Sequence, residues 1–166
     1  MAEGYHEAYR RRIERQRVIY PDEWRFADDA TYSSPYFSGG QDAPIGKFMK
    51  APDMTMSNGA TMEARVYAAK LPDWQPVEFT SWPSDNGFAM RTRFEGHTED
   101  GRKFGFYALD FVQTNEERLI TRWETFVDGE EFGPLVEMAV GVRGPFDSFS
   151  SYWTALDRRL RELDTT

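Results

Sequence analysis

Apolar and polar residues alternate through the second half of the chain, a pattern typical of half-buried β-strands. Strands are predicted near residues 76–82, 87–95, 103–113 and 118–128. The connections between them are short and polar, and Asn86-Gly87 and Asp100-Gly101 supply the residues that tight hairpin turns favour. Connections this short predict an antiparallel meander.

The first half of the chain is more helical in character. Residues 3–19 are rich in Glu, Ala, Arg and Gln, with tyrosines along one side, and predict a helix that ends at Pro21. After it we expect a short helical turn, a strand, a loop or lid, and a further helix, at residues 22–29, 31–37, 41–58 and 61–70.

A last helix is predicted after Asp147 or Ser148, either of which can cap it. Its apolar residues fall on one stripe, so this helix docks on another surface; they are Phe149, Tyr152, Trp153, Leu156, Leu160 and Leu163. The helices in the first half of the chain and the antiparallel meander in the second half predict a single α+β domain over residues 1–166. Helices then pack on one face of a curved antiparallel sheet.

Composition excludes several classes of function. The net charge of −8 argues against a nucleic-acid partner, and the lack of cysteine excludes disulfides and thiolate chemistry. No apolar run approaches the roughly 18–20 residues that span a bilayer. The first residues lack the apolar core of a signal peptide, so we expect a cytoplasmic protein without a membrane partner. Neither a metal-ligand spacing nor a phosphate-binding glycine loop is present, so no metal or cofactor is expected.

One carboxylate stands inside an apolar strand. Asp110 lies between Leu109 and Phe111. A buried carboxylate loses its water, so it either finds polar partners or its pKa rises towards neutrality. Such a group suits proton transfer, which makes Asp110 the first candidate catalytic residue. The alternative is a structural acid at a strand end, paired with Arg91 or Arg93.

Aromatic residues make up 16% of the chain, enough to line a roomy pocket or a dimer interface as well as a core. Tyr32 and Tyr36 lie four residues apart on the early strand, so both point to one side. Their hydroxyls either polarise a substrate carbonyl or belong to core rings. His97, beside a turn, is either exposed or a substrate-binding residue. Candidates for the pocket wall are Trp74, Met90, Phe106 and Trp123.

Three stretches together resemble the SnoaL-like, nuclear transport factor 2-like superfamily. Residues 119–128 are similar to the last hairpin of that family, and residues 26–32 to its passage from helix to first strand. Leu71-Pro72-Asp73-Trp74 is similar to the phenazine biosynthesis A/B branch. The motifs occur in the expected order over residues 5–135, which leaves 136–166 as a C-terminal extension that carries the last helix.

The resemblance implies a cone-shaped, cystatin-like fold with a deep pocket between the curved sheet and the N-terminal helices. In the SnoaL-like cyclases a strand carries a catalytic aspartate, and counting from Gly101-Arg102 places it at Asp110. In the phenazine branch a glutamate of the last strand is the acid–base group. Here that position is Glu124 or, one residue further, Thr125, and one step of register moves a side chain to the opposite face.

Similarity to the limonene-epoxide hydrolases of the superfamily implies that Arg91 is a cation in the pocket. Tyr32 matches the tyrosine that helps to hold the water in those enzymes, and Ser34 replaces their asparagine. Both acids of their catalytic trio are replaced here, so epoxide hydrolysis by that trio is not expected. Alternation within the strand places Arg91 and Arg93 outside instead, so two placements of Arg91 are open.

Two functions are open at this level. The first is a cofactor-independent isomerase, cyclase or lyase, in which Asp110 moves a proton on a hydrophobic, carbonyl-bearing small molecule. The second is a non-catalytic module of the same fold that binds a small molecule or assembles. A homodimer is expected for either function, because a sheet face with Tyr107, Leu109 and Phe111 is too apolar to remain exposed to solvent.

Overall fold

A computed structural model describes residues 26–37, 40–45, 63 and 65–165 of the chain. The helix predicted at 3–19 and most of the loop predicted at 41–58 lie outside these residues. The described strands are β1 (Phe26–Ser33), β2 (Ala43–Pro44), β3 (Gln75–Ser84), β4 (Gly87–His97), β5 (Lys103–Thr114) and β6 (Ile120–Val127). The described helices are α1 (Gly129–Val140) and α2 (Phe149–Asp164).

The strands form one six-stranded sheet in the order β2-β1-β6-β5-β4-β3. From β3 to β6 each strand pairs antiparallel with the next, which confirms the predicted meander. The exception to the antiparallel prediction is β1, which pairs parallel with β6. The turns fall where expected, and Gly101 takes the positive φ of 83° that a tight turn demands. The fold is α+β, as the sequence predicts.

The first strand begins earlier than the sequence predicts. The helical turn expected at 22–29 is wrong for residues 26–29, which belong to β1. Phe26 pairs with Ile120 in β6, and its ring stacks on Trp123 with the centroids 6.2 Å apart. These contacts come from far along the chain, and they outweigh the local preference for a helix.

Helix α1 is missing from the sequence-based prediction, and residue 136, the predicted start of the C-terminal extension, falls inside it. Asp128 caps the helix, since its carboxylate accepts a hydrogen bond from Glu130 N at 2.9 Å. Gly133 and Pro134 lower the intrinsic helix propensity. The helix forms because its apolar face packs on β5; the buried side chains are Phe132, Leu135, Val136, Ala139 and Val140.

Helix α2 confirms the prediction of a last helix. Ser148 caps it, with its hydroxyl accepting a hydrogen bond from Ser151 N at 3.1 Å. Tyr152 and Leu156 are buried, and Phe149 lies on Tyr32 with the ring centroids 4.5 Å apart. The start of the predicted stripe therefore packs against Tyr32 of the first strand. Within the described part of the chain, no helix is long and apolar enough to cross a membrane.

Helices α1 and α2 lie on the same side of the sheet, because Phe132 of α1 contacts both Phe106 of β5 and Tyr152 of α2. We call the covered side the inner face and the opposite side the outer face. The predicted packing of N-terminal helices on the sheet concerns residues that lie outside those described, apart from the helical residues 63 and 65–68.

Candidate active site

The strand register places Asp110 on the inner face. Asp110 in β5 lies opposite Met90 in β4 and opposite Thr125 in β6. Directly opposite residues share a face of the sheet, so these three side chains form one row. Asp110 is only 7% exposed, whereas the next residue, Phe111, points to the outer face and is 42% exposed.

Asp110 receives two hydrogen bonds, and both reach the same oxygen. The Trp123 indole Nε1 donates to Oδ1 at 2.9 Å, and the Thr125 hydroxyl donates to Oδ1 at 2.6 Å. The other oxygen, Oδ2, makes no hydrogen bond to any described residue. Neither Arg91 nor Arg93 pairs with Asp110, so the alternative of a structural acid–arginine pair does not apply.

Burial raises the pKa of Asp110 to about 6. The hydrogen bonds from Thr125 and Trp123 oppose this rise, because each stabilises the charged carboxylate. A carboxyl with this pKa gains and loses its proton close to neutral pH, as a general acid–base group must. Since Oδ1 accepts two hydrogen bonds, the proton of the neutral form belongs on Oδ2.

Tyr32 and Ser34 extend the polar group from Asp110 to the first strand. Tyr32 lies opposite Trp123 in the parallel β1–β6 pair, on the inner face. Burial raises the pKa of Tyr32 above its ordinary value; polar contacts with the Thr125 and Ser34 hydroxyls oppose part of the rise, and the charge of Asp110 adds to it. Tyr32 therefore stays protonated at neutral pH and can donate a hydrogen bond.

The predicted wall residues belong to the layer of apolar side chains on the inner side of the sheet. Met90 is 4% exposed and lies in the same row as Asp110. Trp74 stacks on Phe94 and Phe106, with the centroids 6.0 and 6.1 Å away. In the part of the chain that the structure describes, no group of three His, Asp or Glu side chains is placed to hold a metal ion.

Arg91 lies on the outer face, and the placement that the resemblance implies is wrong for this residue. It is opposite Leu109 in β5, whose side chain faces away from Asp110. Its guanidinium lies 3.8 Å from Glu78 and over the Tyr107 ring, and half of its side chain is exposed. Met90, the residue opposite Asp110, faces inward. Because successive side chains of a strand point to opposite faces, the next residue, Arg91, must face outward, as observed.

The register also separates Glu124 from Thr125. Thr125 faces Asp110 on the inner face, whereas Glu124 lies opposite the exposed Phe111. The Glu124 carboxylate accepts a hydrogen bond from Arg122 at 3.0 Å. The inner position that the phenazine branch would give to a glutamate is therefore held by Thr125, and Glu124 is an outer ion-paired residue.

Two further candidates are held by other partners. Strand β1 ends at Ser33, so the predicted alternation does not continue to Tyr36, whose hydroxyl accepts a hydrogen bond from Gly144 N at 3.0 Å. A Cβ on Gly144 would lie 2.5 Å from the Tyr36 ring, so this contact requires glycine. His97 is at the surface, with Nδ1 2.8 Å from Asp73 Oδ2.

Two polar features of the structure were not found from the sequence. Tyr152 donates to Glu63 Oε1 at 2.5 Å, and the Tyr67 and Tyr152 hydroxyls lie 2.9 Å apart. The charge of Glu63 also raises the pKa of Tyr32, which places this group near the first strand. The second feature is the Thr92 hydroxyl, which is buried and has no hydrogen-bond partner in the described ranges. Glu63 and Tyr67 are one helical turn apart in the sequence, but nothing local points to Tyr152.

Comparison with known proteins gives structural matches only. The sequence matches no protein-family model and no curated protein. AclR, a putative hydroxylase from Streptomyces galilaeus, is 8% identical and matches with a TM-score of 0.51 over 82% of this chain and 83% of that chain. An NTF2-like protein from Burkholderia thailandensis is 9% identical, with a TM-score of 0.50 over 80% and 94%.

A SnoaL-like polyketide cyclase from Agrobacterium tumefaciens also matches, at 15% identity and a TM-score of 0.46 over 80% of this chain and 94% of that chain. The chain has the NTF2-like fold, which confirms the fold that the sequence resemblance implied. Proteins of one fold carry out unrelated reactions, so the chemistry has to be argued from the residues around Asp110.

Proposed function

We propose that this protein is a cofactor-independent enzyme that transfers protons on a hydrophobic, carbonyl-bearing small molecule. The observation that carries the proposal is the buried Asp110 carboxyl, in which one oxygen accepts hydrogen bonds from Trp123 and Thr125 and the other accepts none from any described residue. An acid that only stabilised the fold would be expected to use both oxygens in hydrogen bonds within the protein.

Asp110 would remove a proton from the carbon beside the carbonyl and return it at another position. Its pKa of about 6 leaves it ionised at neutral pH and still basic enough to accept a proton. A positioned general base contributes on the order of 10²–10⁴-fold to the rate. Isomerisation, cyclisation and dehydration all begin with this step, so all belong to the proposal.

Tyr32 would stabilise the oxygen that becomes negative when the proton leaves. It is buried on the inner face next to Thr125 and keeps its proton at neutral pH. A neutral donor in a water-poor site stabilises a developing oxyanion by on the order of 10²–10³-fold in rate. The guanidinium of Arg91 has no part in this, because it lies on the outer face.

A second candidate function is a module that binds an apolar ligand without chemistry. The observation in its favour is the continuous stacking of Trp74, Phe94, Phe106 and Phe132 on the inner face, which an apolar ligand would contact. Such a module needs no proton transfer, so it tolerates the loss of the Asp110 charge.

Proton exchange into solvent tests the proposal without knowledge of the natural substrate. A panel of hydrophobic ketones, with 2-tetralone as the first member, is incubated with the protein in D₂O, and loss of the α-proton signal is followed by NMR. We expect exchange that rises with pH around a midpoint near the Asp110 pKa of about 6, and at least a 100-fold loss in Asp110→Asn.

Asp85→Asn is the matched control, since Asp85 is an exposed aspartate in the turn between β3 and β4. This variant removes one carboxylate charge at the surface, and the ketones should exchange their α-protons with it at the wild-type rate. If ketones bind the wild type but exchange their α-protons no faster than they do with Asp110→Asn, the proposed enzyme is contradicted and the binding module is favoured.

A further inference from the structure

The inner face carries a buried hydroxyl that has no hydrogen-bond partner among the residues described. Thr92, in the middle of β4, is 1% exposed, and its Oγ1 makes no hydrogen bond within the described part of the chain. Threonine hydroxyls on strands usually point to solvent or reach a backbone carbonyl, and a buried one left unpaired is unfavourable for the fold. Such a hydroxyl costs stability, and where it lies beside a ligand site a group of the ligand can supply the missing hydrogen bond.

Thr92 belongs to the same part of the sheet as Asp110. Thr92 lies opposite Ala108 in β5, and Asp110 lies opposite Met90 in β4, so Thr92 and Asp110 are diagonal neighbours on one face. Diagonal neighbours of an antiparallel pair are on the order of 7 Å apart. The residue that faces Thr92 in β5 is the small Ala108.

We propose that Thr92 binds a second oxygen-bearing group of the substrate, on the order of 7 Å from the atom that exchanges its proton with Asp110. This inference rests on the proposed function and adds a substrate class to it. The substrate would be a compact, largely apolar ketone that carries a hydroxyl or a second carbonyl across the ring frame from its enolisable carbon.

The chemistry of a threonine hydroxyl fits such a group. The hydroxyl donates one hydrogen bond and accepts others, so it pairs with a substrate hydroxyl or carbonyl but carries no charge to attract a carboxylate or phosphate. A site that provides a hydrogen bond discriminates against the analogue without the group, because the protein hydroxyl then stays unpaired. Thr92 would therefore choose between substrates and leave the proton transfer to Asp110.

Thr114 gives a matched comparison, since its Oγ1 is also buried and accepts or donates no hydrogen bond among the described residues. It lies four residues from Asp110 along β5, on the order of 13 Å at the rise of a strand, and is too far to contact the same small ligand. Thr92→Val and Thr114→Val remove the same atom from two buried positions and keep the side-chain shape.

The test compares two ligands on one ring frame, 2-tetralone and 6-hydroxy-2-tetralone, whose phenol oxygen lies across the ring from the benzylic α-carbon. Dissociation constants are measured by calorimetry for the wild type, Thr92→Val, Thr92→Ser and Thr114→Val. We expect Thr92→Val to weaken the binding of the hydroxylated ligand about 10-fold and the binding of 2-tetralone less than twofold. Thr92→Ser, which keeps the hydroxyl, and Thr114→Val should bind like the wild type.

The proposal is overturned if the hydroxylated ligand binds no better to the wild type than to Thr92→Val. The measurement is independent of catalysis, so the two ideas fail separately. A preference that depends on Thr92 without proton exchange would retain the binding position and reject the proposed reaction. Proton exchange that depends on Asp110, with no effect of Thr92→Val on the binding of either ligand, would support the proposed reaction and reject the binding position at Thr92.

Discussion

Thr125 and Asp110 face each other across the β5–β6 ladder, and the threonine hydroxyl donates to the carboxylate at 2.6 Å. The contact joins the two strands at the candidate site and holds Asp110 with Oδ2 turned away from its donors. It also lowers the pKa of a carboxyl that burial raises, so Thr125 sets the pH at which Asp110 changes charge. The first two predictions concern this pair.

Replacement of Asp110 by asparagine should stabilise the protein at neutral pH. The folded-state pKa of about 6 lies above the reference value of 3.8, so the folded protein holds the proton more tightly than the unfolded chain does. The associated stability is complete below the unfolded pKa and is lost as the pH rises through about 6. The loss amounts to roughly 3 kcal/mol at most.

Urea unfolding of the wild type and Asp110→Asn from acidic to neutral pH measures this difference. We expect the advantage of Asp110→Asn to appear between about pH 4 and 6 and to stay constant above that range. Other carboxylates cancel in the comparison, and Asp85→Asn shows what loss of one exposed charge does. A difference that does not vary with pH would contradict the elevated pKa.

Thr125→Val should raise the pKa of Asp110 further, because the carboxylate loses a hydrogen bond that favours its charged form. The side chain keeps its size, so the packing is preserved. Carboxyl-carbon NMR titration gives the value directly, with Asp110→Asn as the assignment control. Thr121→Val, on the same strand but bonded to the Gln113 carbonyl, should leave the titration unchanged. An unchanged or lower value in Thr125→Val would rule out this role.

Arg91→Ala and Glu124→Gln should leave proton exchange within about twofold of the wild type. Both residues lie on the outer face, where their partners are Glu78 and Arg122, and surface ion pairs of this kind contribute about 0–1 kcal/mol to stability. Initial rates of ketone exchange in the two variants provide the measurement. A loss of 10-fold or more in either variant would show that the outer face takes part in the reaction.

The outer face should join two copies of the chain. Its exposed rings lie on adjacent strands, where Trp82 and Phe111 both neighbour Ala89 and where the Phe111 and Phe126 rings meet at 6.0 Å. A patch of this kind is unfavourable in water. We expect a dimer in sedimentation velocity, and dissociation to monomers in the Phe111→Ser/Phe126→Ser double variant.

Val142→Ser is the control for the dimer, because Val142 is 39% exposed but lies outside the sheet. It should sediment like the wild type. A wild type that is monomeric at micromolar concentrations would refute the dimer, and the patch would then need another partner.

Much of the fold could be predicted because its signals are local. The strands from β3 to β6 follow from alternation and short polar turns, and helix α2 follows from an apolar stripe after a serine cap. Helix α1 was missed because Gly133 and Pro134 oppose a helix locally, while its packing on β5 favours one. The start of β1 was missed because its partner, β6, lies far along the chain.

The sequence by itself determined that Asp110 lies in an apolar strand, with Leu109 and Phe111 on the opposite face, since alternation follows from strand geometry. Tertiary structure alone decided which residues meet it. The pairing of β5 with β6 brings Thr125 and not Glu124 to the carboxylate, and the covering helices make the Asp110 face the inner one. Alternation relates neighbours within a strand, but only packing against other elements decides which face loses its water and whose pKa rises.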